Sequence, residues 1–587
     1  MRKTKIVCTL GPAVSTPEMI TALMQAGMNV ARFNFSHADH VGHKKMFDIV
    51  DEIRNRLKLP VATLLDTKGP EIRTGVLAAG KIELKAGDTI ILTTKELEGD
   101  ASIVSISHKE LYKDVRIGTR ILIDDGLIEL SVEKIQGEDI HCQIINGGPL
   151  SNRKGINVPG IDLSMPYISE KDQEDILFGI RTGFDYIAAS FVTCAEDVLE
   201  IRKILGDNNC TTIKIIAKIE SAKGVANIDE ILRVADGIMV ARGDLGVEIP
   251  TEEVPIVQKA LIKKSLEHSK SVITATQMLD SMTNRPRPTR AEAGDVANAI
   301  YDGTSAVMLS GETANGLYPI EAVKTMATIA ERTERDINYW RRLKDMDSPA
   351  LPDITYAIAH ATCTTAHDIK ATAIISITQS GYTARMASSF RPGVKIIGCT
   401  PLISTYRHLG LSWGVEPVLM THPITSSDEL FEYSVNACRD AGMVNDGDLV
   451  VLSAGVPIGI PGTSNILKVH VVGDVIATGQ GVGRGSVVAK LCVAKDEQQA
   501  KDRFRPGDIL VIPKTSNAIM PLLRSACGII TEEPGLSSHA AVVGLTLDIP
   551  VIVGSTNATL LLKNGVTAQI DALRGVVCNS STMRSCR

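Results

Sequence analysis

The sequence predicts an α/β protein built on a closed (β/α)8 TIM barrel, and three observations carry the prediction. Short runs rich in Val, Ile and Ala alternate with longer amphipathic segments through the first third and the middle of the chain. Eight such runs are present, and polar or charged residues gather at the carboxyl ends of six of them. The alternation is that of βα repetition. Eight repeats suffice to close a barrel, and an active site forms at the carboxyl ends of its strands.

The eight strand segments are KIVCTL, NVARFNF, VATLLDT, DYIAASF, IKIIAKIE, GIMVAR, SVITATQ and SAVMLSG. Helices are expected between them over residues 170–182, 195–205, 252–268 and 290–301. The last opens on Thr289 and Glu292 at the spacing of a capping box, after Pro-rich punctuation. The barrel is assigned residues 1–70 and 167–345. Its rhythm breaks once, after the third strand: residues 71–166 alternate as strands with Gly and Asp turns and carry no good helix, as in GKIELKAGDTIILT and ILIDDGLIELSVEKI. This segment is read as an inserted β-barrel lid domain beside the barrel mouth. A separate α/β unit over 350–473 holds the strands ATAIISIT, VKIIGCT, DLVVLSA and LKVHVVG. The Gly-rich stretch GQGVGRGS then leads into a small mixed α/β unit over 478–587.

Composition narrows the function classes. A chain of 587 residues is too long for one core. With 44% hydrophobic and 22% charged residues it matches soluble α/β domains and not disorder. No run approaches the roughly 18 apolar residues that cross a bilayer, and the basic start MRKTKIVCTLGP is cut by Gly11-Pro12, unlike a signal peptide. A cytoplasmic protein is expected. The eleven cysteines form no CxxC pair and sit in apolar runs such as KIVCTL and VKIIGC, which reads as buried, reduced thiols. A net charge of -6 speaks against general nucleic-acid binding and leaves small anions, met by local basic residues, as partners.

The chemistry lies at the strand ends. Strand two ends in Arg32, Asn34 and Ser36; strand three in Asp66 and Thr67; strand five in Lys218 and Glu220; strand six in Arg242 and Asp244; strand seven in Thr276; strand eight in Ser310 and Glu312. One such residue would be read as a structural ion pair, but repetition over six strands favours a site. Glu220 and Asp244 offer hard oxygen ligands suited to Mg2+, which takes one or two carboxylates and completes its shell with water and substrate oxygens. Lys218 and Arg32 supply positive charge for a transferring phosphoryl group. Gly243 and Asp244 open a turn into a helix, where free amides hold an anion. A salt bridge of Lys218 serving stability alone explains only part of this set.

These residues carry a family resemblance. NVARFNFSH, LLDTKGPEIRTG, IIAKIES, VARGDLGVEIP, ATQMLDSM with the following RPTRAE, and VMLSGETANGLYPIEAV resemble the signature segments of the pyruvate kinase family, in family order from residue 3 to about 473. The resemblance implies transfer of the phosphoryl group of phosphoenolpyruvate to ADP in an allosteric homotetramer. It implies that Lys218 stabilises the transition state, that Glu220 and Asp244 hold Mg2+ or Mn2+, and that Arg32 binds the phosphoryl group. Thr276, with the backbone of Gly243 and Asp244, would hold the substrate carboxylate. Asn34, Ser36, Asp66 and Thr67 match the family's K+ site; Asn34, Phe35, Ser36, His37, Arg73 and Lys154 match its nucleotide contacts. Glu71 stands where potassium-independent members tend to carry Lys, so dependence on K+ is expected. Either Thr276 or a water chain reaching Ser310 and Glu312 would protonate the enolate.

In the third domain, Thr378, Ser380, Gly381, Tyr382 and Thr383 resemble the family's allosteric phosphate loop, with GVPIGIPGTSN as its second wall, and a sugar phosphate or nucleotide monophosphate is the expected effector. In the last domain, GLSSHAAVVGLTLDIPVIVG resembles the phosphohistidine segment of PEP-utilising domains, with His539 at the phosphorylated position. Pro534-Gly535 and Ser537-Ser538 depart from the usual Gly-Gly and Thr-Ser, which speaks against phosphorylation, and because the barrel needs no phosphohistidine for the kinase reaction a structural or regulatory role is favoured over a carrier. Ser305 stands where the family commonly has Asp, and Ala38 where Gly is usual. Trp340 and Trp413 read as packing residues. Two rivals are a catalytically silent phosphometabolite sensor and a phosphohistidine transferase using His539.

Overall fold

The computed structural model describes residues 2–345, 353–421, 427–455, 464–473 and 475–579. The eight expected strands form, as β1 (Lys5–Thr9), β2 (Val30–Asn34), β3 (Ala62–Asp66), β4 (Tyr186–Ala189), β5 (Lys214–Ile219), β6 (Gly237–Ala241), β7 (Ser271–Ala275) and β8 (Ala306–Leu309). They close into a parallel barrel in which β1 pairs with both β2 and β8. Both faces of each strand are buried, which is why the segments read as continuous apolar runs. Alternate residues still divide between two cores. Val7, Val30, Leu64, Ile216, Met239 and Met308 pack together, while Ile6, Cys8, Phe33, Leu65, Ile215 and Val240 pack in a second cluster with helix residues such as Ile176 and Val296.

The helices begin where the sequence caps them. Ser169 accepts from the amide of Asp172 at the start of Glu170–Thr182. Thr289 and Glu292 form the reciprocal capping box of Arg290–Asp302, at 3.2 and 2.7 Å. The helix expected over 252–268 starts as a single 3-10 turn, Thr251–Glu253, before Val254–Glu267.

The insert is a seven-stranded sheet that begins with Ile72–Arg73 and ends with Ile103–Ser105. A bridge between Thr74 and Ile106, with the Gly75 amide donating to Ser105 O at 2.7 Å, joins its two outer strands and curls it into a barrel. A one-turn helix, Leu111–Asp114, is the helical piece the sequence reading missed there.

The chain divides into two compact units, Met1–Cys363 with Ser376–His422 and Ala454–Asn465, and Thr364–Ile375 with Pro423–Ser453 and Ile466–Arg587. Beyond the barrel and insert, the first holds the helix Tyr382–Ser389 and the parallel pair Lys395–Thr400 and Val415–Leu419. The second contains an eight-stranded sheet starting at Val475–Thr478, whose four neighbouring strands Ser486–Val493, Ile509–Ile512, Gly528–Thr531 and Val551–Val553 run parallel while the others pair antiparallel, a mixed unit. Among the described residues ten cysteines are free thiols, six of them buried, and no helix is long and apolar enough to cross a membrane.

Candidate active site

At the carboxyl ends of β3 and β5 the charges interlock. The Lys218 ammonium lies 3.2 Å from Asp66 Oδ1 and 2.9 Å from Glu220 Oε1. Arg32 reaches across from β2 to Asp66 Oδ2 at 2.6 Å. Asp66 and Glu220 are each only 1% exposed, so these contacts act in a medium far less polarisable than water. Burial pushes the Asp66 carboxyl up, but Arg32 and Lys218 outweigh it and hold Asp66 below the usual carboxylate range. Burial likewise opposes the Lys218 charge, and Asp66 and Glu220 more than offset it, so its ammonium persists above the ordinary lysine range. Glu220 is pushed up to about 7, first by burial and then by Asp244, against the pull of Lys218. Asp244 is raised too, by burial and by Asp125 of the insert. Glu220, buried, and Asp244, half-buried, both have their carboxyls raised even with the Lys218 ammonium beside them. Their hard oxygens fit a Mg2+ whose shell water and substrate oxygens would complete.

The seventh strand ends in strain. Thr276 and Gln277 sit at φ 67° and 52°, and Phe191 after β4 at 54°. Positive φ in a β-branched residue is uncommon and costly. It places Thr276 Oγ1 to accept the Gly243 amide at 2.8 Å, bringing two expected substrate contacts together. Asn34 Oδ1 accepts the Ser36 amide at 3.1 Å. The oxygens of Asn34, Ser36, Asp66 and Thr67, with a single carboxylate among them, fit a monovalent cation better than a divalent one.

Other expected residues fall elsewhere or serve differently. The Phe35 ring is buried and stacks on His43 at 4.0 Å, so its side chain belongs to the core. The exposed His37 offers its carbonyl to His43 Nε2. Arg73 pairs with Glu71 at 2.6 Å, and Lys154 pairs with Asp124 at 2.8 Å within the insert. The insert meets the helix Arg242–Glu248 through Asn157 and Glu248, at 3.5 Å. Arg242, read as mouth charge, turns away to Asp295 at 2.7 Å and to the Thr276 carbonyl at 2.8 Å. Glu312 spends both oxygens on the amides of Leu279 and Ser310, and the buried Ser310 Oγ has no partner. Ala38 takes φ 63°, the reason Gly suits that position.

Four contributors escaped the sequence reading. Ser190 Oγ accepts from Lys218 at 2.8 Å and lies 3.3 Å from Asp66. Thr9 Oγ1 accepts from Arg32 at 2.9 Å, the Phe191 amide donates to Glu220 at 2.6 Å, and Asp125 acts on Asp244. Thr9 ends β1 and Ser190 follows β4, the two strands whose ends the sequence reading left out, so applying the strand-end rule to all eight strands finds both.

In the third domain Gly381, at φ 80°, opens the helix Tyr382–Ser389. Thr378 Oγ1 accepts the Gly381 amide at 3.0 Å, Ser380 Oγ faces the Tyr382 amide at 3.4 Å, and Thr383 Oγ1 meets Ser464 Oγ at 2.5 Å. Of the expected second wall, residues 456–463 lie outside the described residues. His539 begins the helix His539–Leu547, with Nδ1 2.9 Å from Thr515 Oγ1 and Nε2 3.1 Å from Asn517 Oδ1.

Comparison with known proteins agrees with this geometry. Residues 1–323 match the pyruvate kinase barrel domain, 356–470 the pyruvate kinase alpha/beta domain, and 504–575 the mobile domain of PEP-utilising enzymes. A pyruvate kinase of Geobacillus stearothermophilus is 52% identical, over 98% of each chain, and one of Sporosarcina psychrophila 50% identical, over 99% of each. A solved pyruvate kinase from Cryptosporidium parvum, 40% identical, superposes with a TM-score of 0.76 over 80% of this chain and 96% of its own. A barrel model covering more than half of the sequence, and relatives alike from end to end, place the chain in the pyruvate kinase family of phosphotransferases.

Proposed function

We propose that the barrel mouth transfers the phosphoryl group of phosphoenolpyruvate to ADP, giving pyruvate and ATP, the last step of glycolysis in the cytoplasm. The observation that carries this reading is the Lys218 ammonium, fixed between Asp66 and Glu220 beside Arg32. A buried, pre-positioned charge of this kind stabilises a phosphoryl group in flight without reorganising. Arg32 anchors the phosphoryl group, and Thr276 with the amides of Gly243 and Asp244 orients the substrate carboxylate. Glu220 and Asp244 would hold Mg2+ or Mn2+, which supplies neutralising charge to phosphoryl oxygens when bound. Asn34, Ser36, Asp66 and Thr67 would hold K+. Asn34 to His37, Arg73 and Lys154 meet the nucleotide, with Phe35 contributing backbone alone. The insert closes over the mouth to exclude water. Either Thr276 or a water chain reaching Ser310, whose hydroxyl is buried without a partner, and Glu312 would deliver a proton to the enolate carbon.

The loop Thr378, Ser380, Gly381, Tyr382 and Thr383 would bind a sugar phosphate or nucleotide monophosphate that regulates a homotetramer. Light scattering with and without such effectors checks both statements. His539 is read as structural or regulatory; acid-labile label from phosphoenolpyruvate retained on the chain would favour a carrier instead. The main test is a coupled assay of pyruvate formation. Lys218→Ala is expected to lower kcat by about 10²–10³-fold with little change in KM, and undiminished turnover would overturn the mechanism. Activity should also require K+, so full activity in buffer free of potassium and sodium would remove the potassium assignment.

A further inference from the structure

A small, partly open space lies between the barrel residues Lys270 and Ser305 and the residues Arg385, Ser388, Arg391 and Ser412 of the third domain. It has room for the centre of one water-sized particle, a volume of about 10 Å3. Arg391 dominates it. This residue is 2% exposed and sits at φ 48° just past the helix Tyr382–Ser389. Its Nη1 donates to Ser388 O at 2.8 Å, and its Nη2 to Gly303 O at 2.9 Å and Ser305 Oγ at 3.0 Å. Its Nε has no partner, nor has Ser412 Oγ, also 2% exposed.

Among the described residues no carboxylate comes within ion-pair distance of Arg391, and none lines the space. Glu334, the acid whose field reaches it, is already engaged by the amides of Lys3 and Thr4 at 2.7 and 2.6 Å. The Ser305 hydroxyl accepts from both Arg391 and the Val272 amide, which leaves its own proton to give. Lys270 and Arg385 add positive charge to the walls while bonding carbonyls elsewhere. Burial pushes the Arg391 guanidinium down to about 9, so it stays charged at neutral pH. A buried charge without a counterion is strongly unfavourable. Of the unused groups, Arg391 Nε and the Ser305 hydroxyl proton can only donate, and the Ser412 hydroxyl can donate as well.

We propose that this space binds one monovalent anion of chloride size, held by Arg391 Nε and the hydroxyls of Ser412 and Ser305, as the missing counterion between the barrel and the third domain. Sulfate and phosphate are too large for it. The site is separate from the barrel mouth and from the loop Thr378–Thr383.

The test is the thermal midpoint of the full chain as chloride replaces gluconate at constant sodium and ionic strength. The midpoint is expected to rise saturably by about 2–4 °C. Ser305→Asp places a carboxylate on the wall and should reach the chloride-bound midpoint without chloride and lose the response. Ser412→Ala, a milder change that keeps the site testable if the first variant folds poorly, should raise the chloride concentration at half-effect by about 5- to 10-fold. Crystals grown in chloride should show an anomalous peak beside Arg391 Nε. A wild-type midpoint that ignores chloride, a response unchanged in Ser412→Ala, or no such peak would each overturn the proposal and leave water as the occupant.

Discussion

His408 is 6% exposed and holds its ring against the Asp185 carbonyl at 3.1 Å, while its own carbonyl accepts from Tyr186 at 2.8 Å. Burial lowers its pKa from the ordinary 6.5 to about 4. The unfolded chain therefore takes up the proton first as pH falls. Stability is full above about 6.5 and declines through the window down to about 4, a loss of about 3 kcal/mol. Urea unfolding of the first unit between pH 7 and 4 should show this limb, and His408→Gln, which keeps a donor for Asp185, should flatten it. Ala38 offers a second test. Its φ of 63° strains any residue with a Cβ, so Ala38→Gly is expected to stabilise by about 0.5–1 kcal/mol, visible as a higher urea midpoint. How each residue serves was only partly legible in the sequence. Lys218, Glu220, Asp66 and Arg32 declared themselves as charges where a barrel strand should be apolar. Ser190 and Thr9 did not, because hydroxyls are common in strands and gain meaning only from a neighbour. Arg242 misled for the converse reason: its charge stands at a strand end, but its guanidinium turns to Asp295.

At the scale of elements, the cap of Arg290–Asp302 shows how local signals fix structure. Thr289→Ala removes one reciprocal bond and should cost about 1 kcal/mol. Glu292 also accepts from the Ser281 amide at 2.7 Å and its hydroxyl at 2.5 Å, tying the helix to the 3-10 turn Asp280–Thr283. Glu292→Ala should therefore cost more, about 2 kcal/mol or above, and the two variants can be ranked by urea melts. The barrel strands were legible because a strand buried on both faces must be an unbroken apolar run. The helix Arg290–Asp302 was legible because Thr289 satisfies an amide that would otherwise be orphaned. The electrostatic effect of Asp125 on Asp244 was not legible, since the two lie in separate folding elements and local spacing does not encode it. The short helix Leu111–Asp114 carries too few residues to show a period.

For the whole molecule, the barrel mouth draws every charge described above from the first compact unit. His539→Ala is therefore expected to leave kcat for pyruvate formation unchanged, a result the coupled assay can report beside Lys218→Ala. Barrel closure has a further consequence in time. Lys5 to Cys8 pair with Ala306 to Leu309, strands about 300 residues apart in a chain synthesised at roughly 5–20 residues per second. The first strand therefore emerges from the ribosome roughly 15–60 s before its second neighbour exists. Through that interval Ile6, Val7 and Cys8, fully buried in the finished fold, stand on an open edge able to pair with any strand nearby. The insert, with all its pairing partners between residues 72 and 157, completes itself meanwhile. Each nascent chain passes its youth as a finished insert on an unsewn barrel, with that first edge open to its neighbours on the same message.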